Sequence, residues 1–535
     1  MSNDSCCRVC SRILYSCNWR VPQPNQKKCG CCWFSVVTVV SLLSLCWMYI
    51  CLVTFNDRDD VNWQGFTKLK QWVNWFMVLV IISAVLTSYC VLLLFFALFQ
   101  VALSEPLNLH WTHKVFLFCG VLLIAFGVTG ISLEWKEEWP TVLLSLQATA
   151  PFLQFGAVGA LTLLSPFVFH HFYMAKGKLS KFLIAVMFVV VSAPIFICPL
   201  WIQSPCLIKQ EQLPAKPKLI GHRGAPMLAP ENTMMSFSRS VACNVTAFET
   251  DVQISKDGIP FLMHDHQGSG FLRRTTNVED KFPNNNFNSS YDLTWDEYKD
   301  LNAGEWFMKT DPFHSVSKLS HEEKEMSRNE KIPSLLQLLN LSKQHNISVI
   351  FDLYSPNTGN DTADIVSTIL SSGIDPSLVL WLPPAGRDYV NEIAPGFIQV
   401  YSNVTEMFMR GGTHLNVKYS KFSAAEIREL RRRNITVNLW VVNERWLFSL
   451  LWCSGASSVT TNSCHLLKDM NEPDWVMSRQ KYNVIWITVN AASLLIMTAF
   501  FIFQGTKHKC HRKGKQRDNI SAWNEKELTP FLSNR

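Results

Sequence analysis

Six side chains carry the chemistry this sequence can perform: His222, Arg223, Glu249, Asp251, His264 and Asp352. Glu249 and Asp251 are two residues apart, so on a strand both point to the same face. Together with Asp352 they offer hard oxygen ligands for Ca2+ or Mg2+. Such a cation neutralises charge developing on phosphoryl oxygens. Arg223 can form charge-assisted bonds to the same phosphate, and two histidines suit general base and general acid roles near neutral pH. Taken singly, an Asp at a strand end is ordinarily a cap or turn residue, and a histidine is ordinarily a satisfied neutral side chain. The whole set points to metal-assisted phosphodiester cleavage.

The residues need a scaffold that brings separate strand ends to one rim. Short β-rich runs occur at 218–222, 247–252, 349–353, 378–382, 397–401, 414–419, 436–442 and 458–461, and many are separated by helix-like stretches. One such stretch, 332–345, carries a leucine stripe. Another, 423–433, opens with Ser423 as an N-cap followed three residues later by Glu426. Strands alternating with helices imply a parallel sheet, and 203–480 is about the length of one (β/α)8 barrel, for which roughly 250 residues is typical. Reactive groups lie at the C-terminal strand ends of such barrels. His222 and Asp352 end or nearly end their runs, and a further apolar run, 259–263, leads into His264-Asp265. The stretch 265–331 reads as an insertion over one βα loop.

The ordered motifs resemble those of glycerophosphodiester phosphodiesterases. They are His222-Arg223-Gly224-Ala225-Pro226, Pro230-Glu231-Asn232-Thr233, Glu249-Thr250-Asp251, Lys256-Asp257-Gly258, His264-Asp265 and Arg274-Thr275-Thr276, then Leu301-Asn302-Ala303-Gly304, Ile332-Pro333-Ser334-Leu335 and Trp440-Val441-Val442-Asn443. The resemblance covers about 218–465, and the six-span frame described below is similar to a vertebrate multipass subfamily. It implies an α/β fold, a TIM barrel with a small insertion attached to a six-helix transmembrane region. It implies catalytic His222 and His264, with Arg223 on the phosphate and Arg223, Asn232, Tyr354 and Trp440 on the substrate. It also implies one divalent cation, Ca2+ favoured over Mg2+, held by Glu249 and Asp251 with Asp352 as the third acidic ligand. Two departures touch this set. Asp352-Leu353-Tyr354 stands where the family has Glu-x-Lys, which shortens a ligand by one methylene and removes a positive charge. Asn462 stands where the last strand motif has Asp.

Composition settles where the domain sits. Charged residues are only 17% of the 535, and 48% are hydrophobic, against roughly 25% charged in ordinary globular domains. Apolar stretches of the roughly 20 residues needed to cross a hydrocarbon core run at 33–55, 75–99, 115–133, 141–167, 182–202 and 483–503, the fourth interrupted by Pro151 and the fifth by Pro194 and Pro199. The net charge of +7 divides unevenly: 203–480 carries 27 basic and 31 acidic side chains, leaving +11 for the rest. The basic excess includes Arg8, Arg12, Arg20, Lys27, Lys28, Lys176, Lys178, Lys181 and the tail from Lys507 to Arg517. By the positive-inside rule these ends are cytoplasmic, which makes the charge a topology signal and excludes a nucleic-acid partner. The expected order is a Cys-rich cytoplasmic N-terminus over 1–32, five spans over 33–202, an extracellular barrel over 203–480, a sixth span over 481–503 and a basic cytoplasmic tail over 504–535, with the protein in the plasma membrane.

Seven glycosylation sequons in the barrel segment agree with that side, at Asn244, Asn288, Asn340, Asn346, Asn360, Asn403 and Asn434. Oxidising surroundings permit disulfides among Cys206, Cys243, Cys453 and Cys464, and four cysteines allow three full pairings. The cytoplasmic cysteines Cys6, Cys7, Cys10, Cys17, Cys29, Cys31 and Cys32 are candidates for acylation, with free thiols or a metal site as alternatives. The expected function is a membrane-anchored ectoenzyme hydrolysing glycerophosphodiesters, foremost glycerophosphoinositol to inositol phosphate and glycerol, by a phospholipase C-like route. The resemblance also allows cleavage of glycosylphosphatidylinositol anchors, so expected partners are the diester, membrane lipids and GPI-anchored proteins, with a cytoskeletal contact through the cytoplasmic ends. A catalytically weak barrel serving as a surface receptor is the alternative, motivated by the altered 352–354 site. Transport is disfavoured because the spans carry almost no charge for an ion relay.

Overall fold

The computed structural model describes residues 6–17, 30–55, 69, 72–102, 107–265, 272–283, 287–353 and 360–532. It divides into two compact units, one built from helices within Met1–Phe55, Val73–Ser204 and Arg479–Arg535, the other including Pro205–Ser478.

Among the described residues of the first unit, six helices are long and apolar enough to cross a bilayer: Cys32–Thr54, Trp75–Gln100, Trp111–Glu134, Trp139–Met174, Lys178–Leu200 and Arg479–Cys510. Polar side chains stitch them where apolar packing gives no preference of partner. Trp47 Nε1 donates to Ser83 Oγ at 2.9 Å, and the Thr162 and Ser493 hydroxyls lie 2.6 Å apart. Two of the three expected proline interruptions are absent, since the helix Trp139–Met174 runs through Pro151 and Pro166 and Lys178–Ile197 runs through Pro194, whereas at Pro199 the α-helix has ended and a 3-10 turn, Cys198–Leu200, follows. Pro199 has no N–H for the Ile195 carbonyl, and Gln154 Nε2 approaches that carbonyl at 3.4 Å. A side chain of the neighbouring helix thus reaches the carbonyl freed at Pro199, the kind of compensation that proline in membrane helices calls for.

The second unit is a closed barrel. Its strands are β1 (Lys218–His222), β2 (Ala247–Ile254), β4 (Ser348–Leu353), β5 (Val379–Trp381), β6 (Ile398–Tyr401), β7 (His414–Lys418), β8 (Thr436–Trp440) and β9 (Ser458–Thr461). All pair in parallel in the order β1-β9-β8-β7-β6-β5-β4-β2, and β1 pairs with β2 to close the ring. Ile220, Ala247, Ile350 and Val400 form an apolar cluster that fills the interior beneath the rim. A larger core joins the outer strand faces to the surrounding helices, among them Phe248, Phe351, Trp381 and Phe448.

The run at 259–263 becomes β3 (Pro260–Leu262), which pairs antiparallel with β2 outside the barrel ring. Asp257-Gly258 turns the chain between them, with Gly258 at φ 80° and Ser255 N donating to Ile259 O at 3.1 Å. The insertion that follows is helical, in short pieces such as Trp295–Tyr298, Glu305–Thr310 and His321–Arg328. It has its own small core, in which Phe261 stacks on Tyr298 with centroids 4.2 Å apart. Two disulfides, Cys206–Cys453 and Cys243–Cys464, select one of the three possible pairings. All seven sequon asparagines are exposed.

Candidate active site

Register sets the rim. His222 is the Cα partner of Glu249, and Asp251 is the Cα partner of Asp352 one layer higher. Alternation then turns His222, Glu249, Asp251 and Asp352 to the barrel interior at the C-terminal strand ends. His222 Nδ1 lies 2.6 Å from Asn462 Oδ1, the residue just beyond β9. An amide oxygen only accepts, so Nδ1 carries the hydrogen and Nε2 keeps its lone pair. That Nε2 stands 3.8 Å from Glu249 Oε2, beyond hydrogen-bond reach. Burial and the Arg223 charge hold the imidazole down to about 3, against the partial support of Asn462 and Glu231. It is neutral at physiological pH.

Arg223 leaves β1 in the left-handed region at φ 52°, followed by Gly224 at φ 87°. A Cβ on Gly224 would meet Ser236 Oγ at 2.5 Å and Phe237 N at 2.8 Å, so only glycine fits. Ser236 Oγ pins the turn by donating to Arg223 O and accepting from Ala225 N. The Arg223 amide donates to the Glu249 carboxylate at 3.0 Å. Its guanidinium lies 3.3 Å from Glu231 and 3.1 Å from Asp251 Oδ2. The contact with Asp251 is an ion pair without alignment, since the buried Arg223 Nε–H meets no acceptor along its bond. Asn232, held by Thr250 Oγ1 at 2.8 Å, donates to the same Asp251 oxygen at 2.9 Å.

Beyond Asp251 the second histidine is set by its neighbours. Met263 N donates to Asp251 O at 3.0 Å, and Gln253 Nε2 donates to the carbonyls of Met263 and Asp265 on either side of His264. The Asp265 carboxylate accepts from Arg274 Nε at 2.7 Å and from Thr275 Oγ1 at 2.9 Å. Arg274 also bonds Glu231, so that carboxylate bridges two guanidiniums. Burial would raise Glu231, yet Arg274 and Arg223 together outweigh it and bring it to about 2. Glu231, Asn232, Met263 and His264 line one small cleft.

Glu249 is raised well above its ordinary value by burial and by Asp251, with Arg223 opposing. Asp251 is pushed up to about 6 by burial, with Arg223 and Asn232 opposing and Asp352 adding to the rise. These carboxyls repel one another with too little positive charge between them. Among the described residues no three His, Cys, Asp or Glu side chains form a closed ion cage. The donor chemistry nevertheless fits a hard divalent cation: all-oxygen ligands, buried, with mutual repulsion that such an ion would relieve.

His222, Arg223, Asn232, Glu249 and Asp251 are thus gathered into one network, with Asp352 in register beside Asp251 and His264 held next to Asp265. Trp440 ends β8, 38% exposed, as the register partner of Lys418. Tyr354 lies outside the described residues. From sequence alone Asn462, Glu231, Arg274 and Asp265 have no assigned role. Their motifs were visible, while the pairing Arg223–Glu231–Arg274–Asp265 spans a loop and an insertion and leaves no periodic signal.

The model of the Glycerophosphoryl diester phosphodiesterase family matches residues 222–372. The sequence is 41% identical over 522 residues to the glycerophosphoinositol inositolphosphodiesterase of Mus musculus, covering 95% of this chain and 96% of that protein. It is 36% identical to glycerophosphodiester phosphodiesterase domain-containing protein 5 of Gallus gallus, over 96% of this chain and 86% of the other. Among solved structures, an Oleispira antarctica phosphodiesterase in complex with the product sn-glycerol-3-phosphate is 20% identical with a TM-score of 0.39, covering 47% of this chain and 95% of that one.

Proposed function

The chain belongs to the glycerophosphodiester phosphodiesterases, a family of phosphoric diester hydrolases, and from that premise we propose that its substrate is glycerophosphoinositol, cleaved to inositol phosphate and glycerol at an extracellular site. Likeness to the mouse enzyme along nearly the whole chain supports the choice of diester. The observation that carries the reaction is the pairing of a neutral His222, its Nε2 lone pair available, with a buried Arg223 whose Nε–H lacks an aligned acceptor.

Arg223 then binds and orients the phosphate, which supplies the missing acceptor. His222 is unprotonated at neutral pH, and a phosphate on Arg223 would offset one of the two causes that lower it, raising the basicity of Nε2 toward what a general base needs. The proton comes from a hydroxyl beside the phosphate: an inositol 2-hydroxyl attacking internally gives a cyclic phosphate that water opens, and direct attack by water is the simpler route. His264 gives its proton to the departing glycerol oxygen. Asn232 steadies Asp251, and Asn462 keeps His222 in one tautomer. Glu249, Asp251 and Asp352 are the residues that would hold the divalent cation, Ca2+ before Mg2+. When bound it offsets negative charge developing on the phosphoryl oxygens.

An extracellular barrel is supported by the basic flanks of the spans, by seven exposed sequons and by two disulfides in the same unit. GPI anchors, with a similar phosphoinositol, extend the proposed substrate range. The test is to incubate the purified full-length protein and its His222→Ala and His264→Ala variants with glycerophosphoinositol, glycerophosphocholine and a GPI-anchored protein. Inositol phosphate released by the wild type, and lost by at least about a hundredfold in both variants, is the expected result. Undiminished turnover in either variant sinks the two-histidine mechanism, and turnover confined to glycerophosphocholine sinks the substrate assignment.

A further inference from the structure

Lys218 and His222 are the first and last residues of β1, so the far end of the barrel from the catalytic rim begins at Lys218. There the N-terminal ends of β1, β8 and β9, together with the helix Ala424–Arg432, border an open cavity of about 620 Å3. Lys216, Lys218, Arg428, Arg431 and Arg432 line it, and among the described residues no acidic side chain does. The volume lies within the range of small-molecule sites, roughly 300–1,000 Å3, and exceeds what one water or simple ion fills.

Two ordinary accounts cover part of this cluster. Arg431 and Arg432 end a helix, where cations suit the helix dipole, and Arg432 also pairs with Glu429 outside the lining. Neither explains Arg428 or the lysines. Among the described residues, Arg428 Nη2 reaches the carbonyls of Pro205 and Cys453, at 3.5 and 3.4 Å. Lys216 donates to Lys468 O at 2.7 Å. Carbonyls satisfy hydrogens without cancelling charge. Burial and the neighbouring Arg432 hold Arg428 below the usual arginine value, and burial lowers Lys216 against the support of Asp469. A polyvalent anion would relieve both. Guanidinium forks favour phosphate oxygens through paired hydrogen bonds.

We propose that this cavity is a second binding site, taking a small anion with more than one phosphate charge, carried either by a soluble phosphorylated polyol or by the headgroup of a phosphorylated lipid. It stands apart from the catalytic rim and is independent of the substrate chosen above.

The test is calorimetric titration of the full-length protein in detergent with inositol trisphosphate, alongside a Lys218→Gln/Arg432→Gln double variant and Arg223→Ala at the rim. The expected result is salt-sensitive binding that falls at least about tenfold in the double variant and survives in Arg223→Ala. No binding by the wild type, or binding lost in Arg223→Ala and kept in the double variant, overturns the proposal. Lys218, Arg431 and Arg432 are exposed. Arg431→Gln therefore serves as a second variant if the double one melts early, and unchanged affinity there counts against the site equally. Repeating the titration in phosphatidylcholine nanodiscs with and without phosphatidylinositol phosphate separates the sources. A headgroup occupant weakens soluble-probe binding only in the doped discs, and a soluble occupant leaves the two equal.

Discussion

Asn462 Oδ1 accepts a hydrogen bond from His222 Nδ1 across 2.6 Å, from the far side of the β1–β9 seam. A carboxylate at this position would hold the imidazole in the same tautomer and also stabilise its protonated form. The amide orients without adding charge, and that difference is measurable.

Asn462→Asp is expected to raise the His222 pKa by about 1–2 units. The acid limb of the kcat/KM profile should move toward neutrality by the same amount while KM changes little. An unmoved acid limb would show that His222 is not the group whose ionisation limits the reaction.

The crowded carboxyls make cation binding pH-dependent. Asp251 is raised on folding, so its contribution to stability is fully present below its ordinary value near 3.8 and is lost as pH rises through about 6. Glu249 acts in the same direction. His222, depressed to about 3, costs stability as pH falls below its ordinary 6.5, with or without the ion. A divalent cation replaces the protons the carboxyls lose. Saturating Ca2+ should raise Tm more at about pH 7.5 than at about pH 5, stabilising by about 3 kcal/mol at a hundredfold excess over Kd. Chelation should abolish turnover. Equal Tm gains at both pH values would remove these carboxyls as the ion's ligands.

Glu231 sits between two buried guanidiniums, and its stabilising charge is present above about 4.5 and lost as pH falls through about 2. Glu231→Gln leaves Arg223 its contact with Asp251 and Arg274 its bond to Asp265, but removes the negative charge that separates the two guanidiniums, at an expected cost of about 3 kcal/mol. Denaturant unfolding reads that loss, and kcat/KM should fall with it because Arg223 is less firmly held. Glu231→Asp keeps the charge and should recover part of both. A Gln variant as stable as wild type would mean the bridge carries no net energy.

The barrel was largely legible because each strand is a short apolar run bounded by polar turns. Lys218–His222 and Ser458–Thr461 coincide with their expected limits, and Val379–Trp381 is one residue shorter at each end. The antiparallel β3 was missed, although Asp257-Gly258 is a hairpin signal when flanked by apolar runs. Pro151 and Pro194 read as breaks because a sequence shows the missing N–H, while the helices Trp139–Met174 and Lys178–Ile197 continue through them. At the site the residue types were legible and the partners were not. His264 is plain in the sequence, while the Gln253, Arg274 and Thr275 contacts that fix the segment around it arise only when the insertion folds back on β2.

The disulfides join Cys206, ahead of β1, to Cys453, ahead of β9, and Cys243, ahead of β2, to Cys464, just after β9. Any peptide bond between Cys243 and Cys453 lies inside both covalent loops. A protease that nicks the insertion therefore severs the chain without shedding a fragment. The cut enzyme would run as a single species until a reductant separates its pieces.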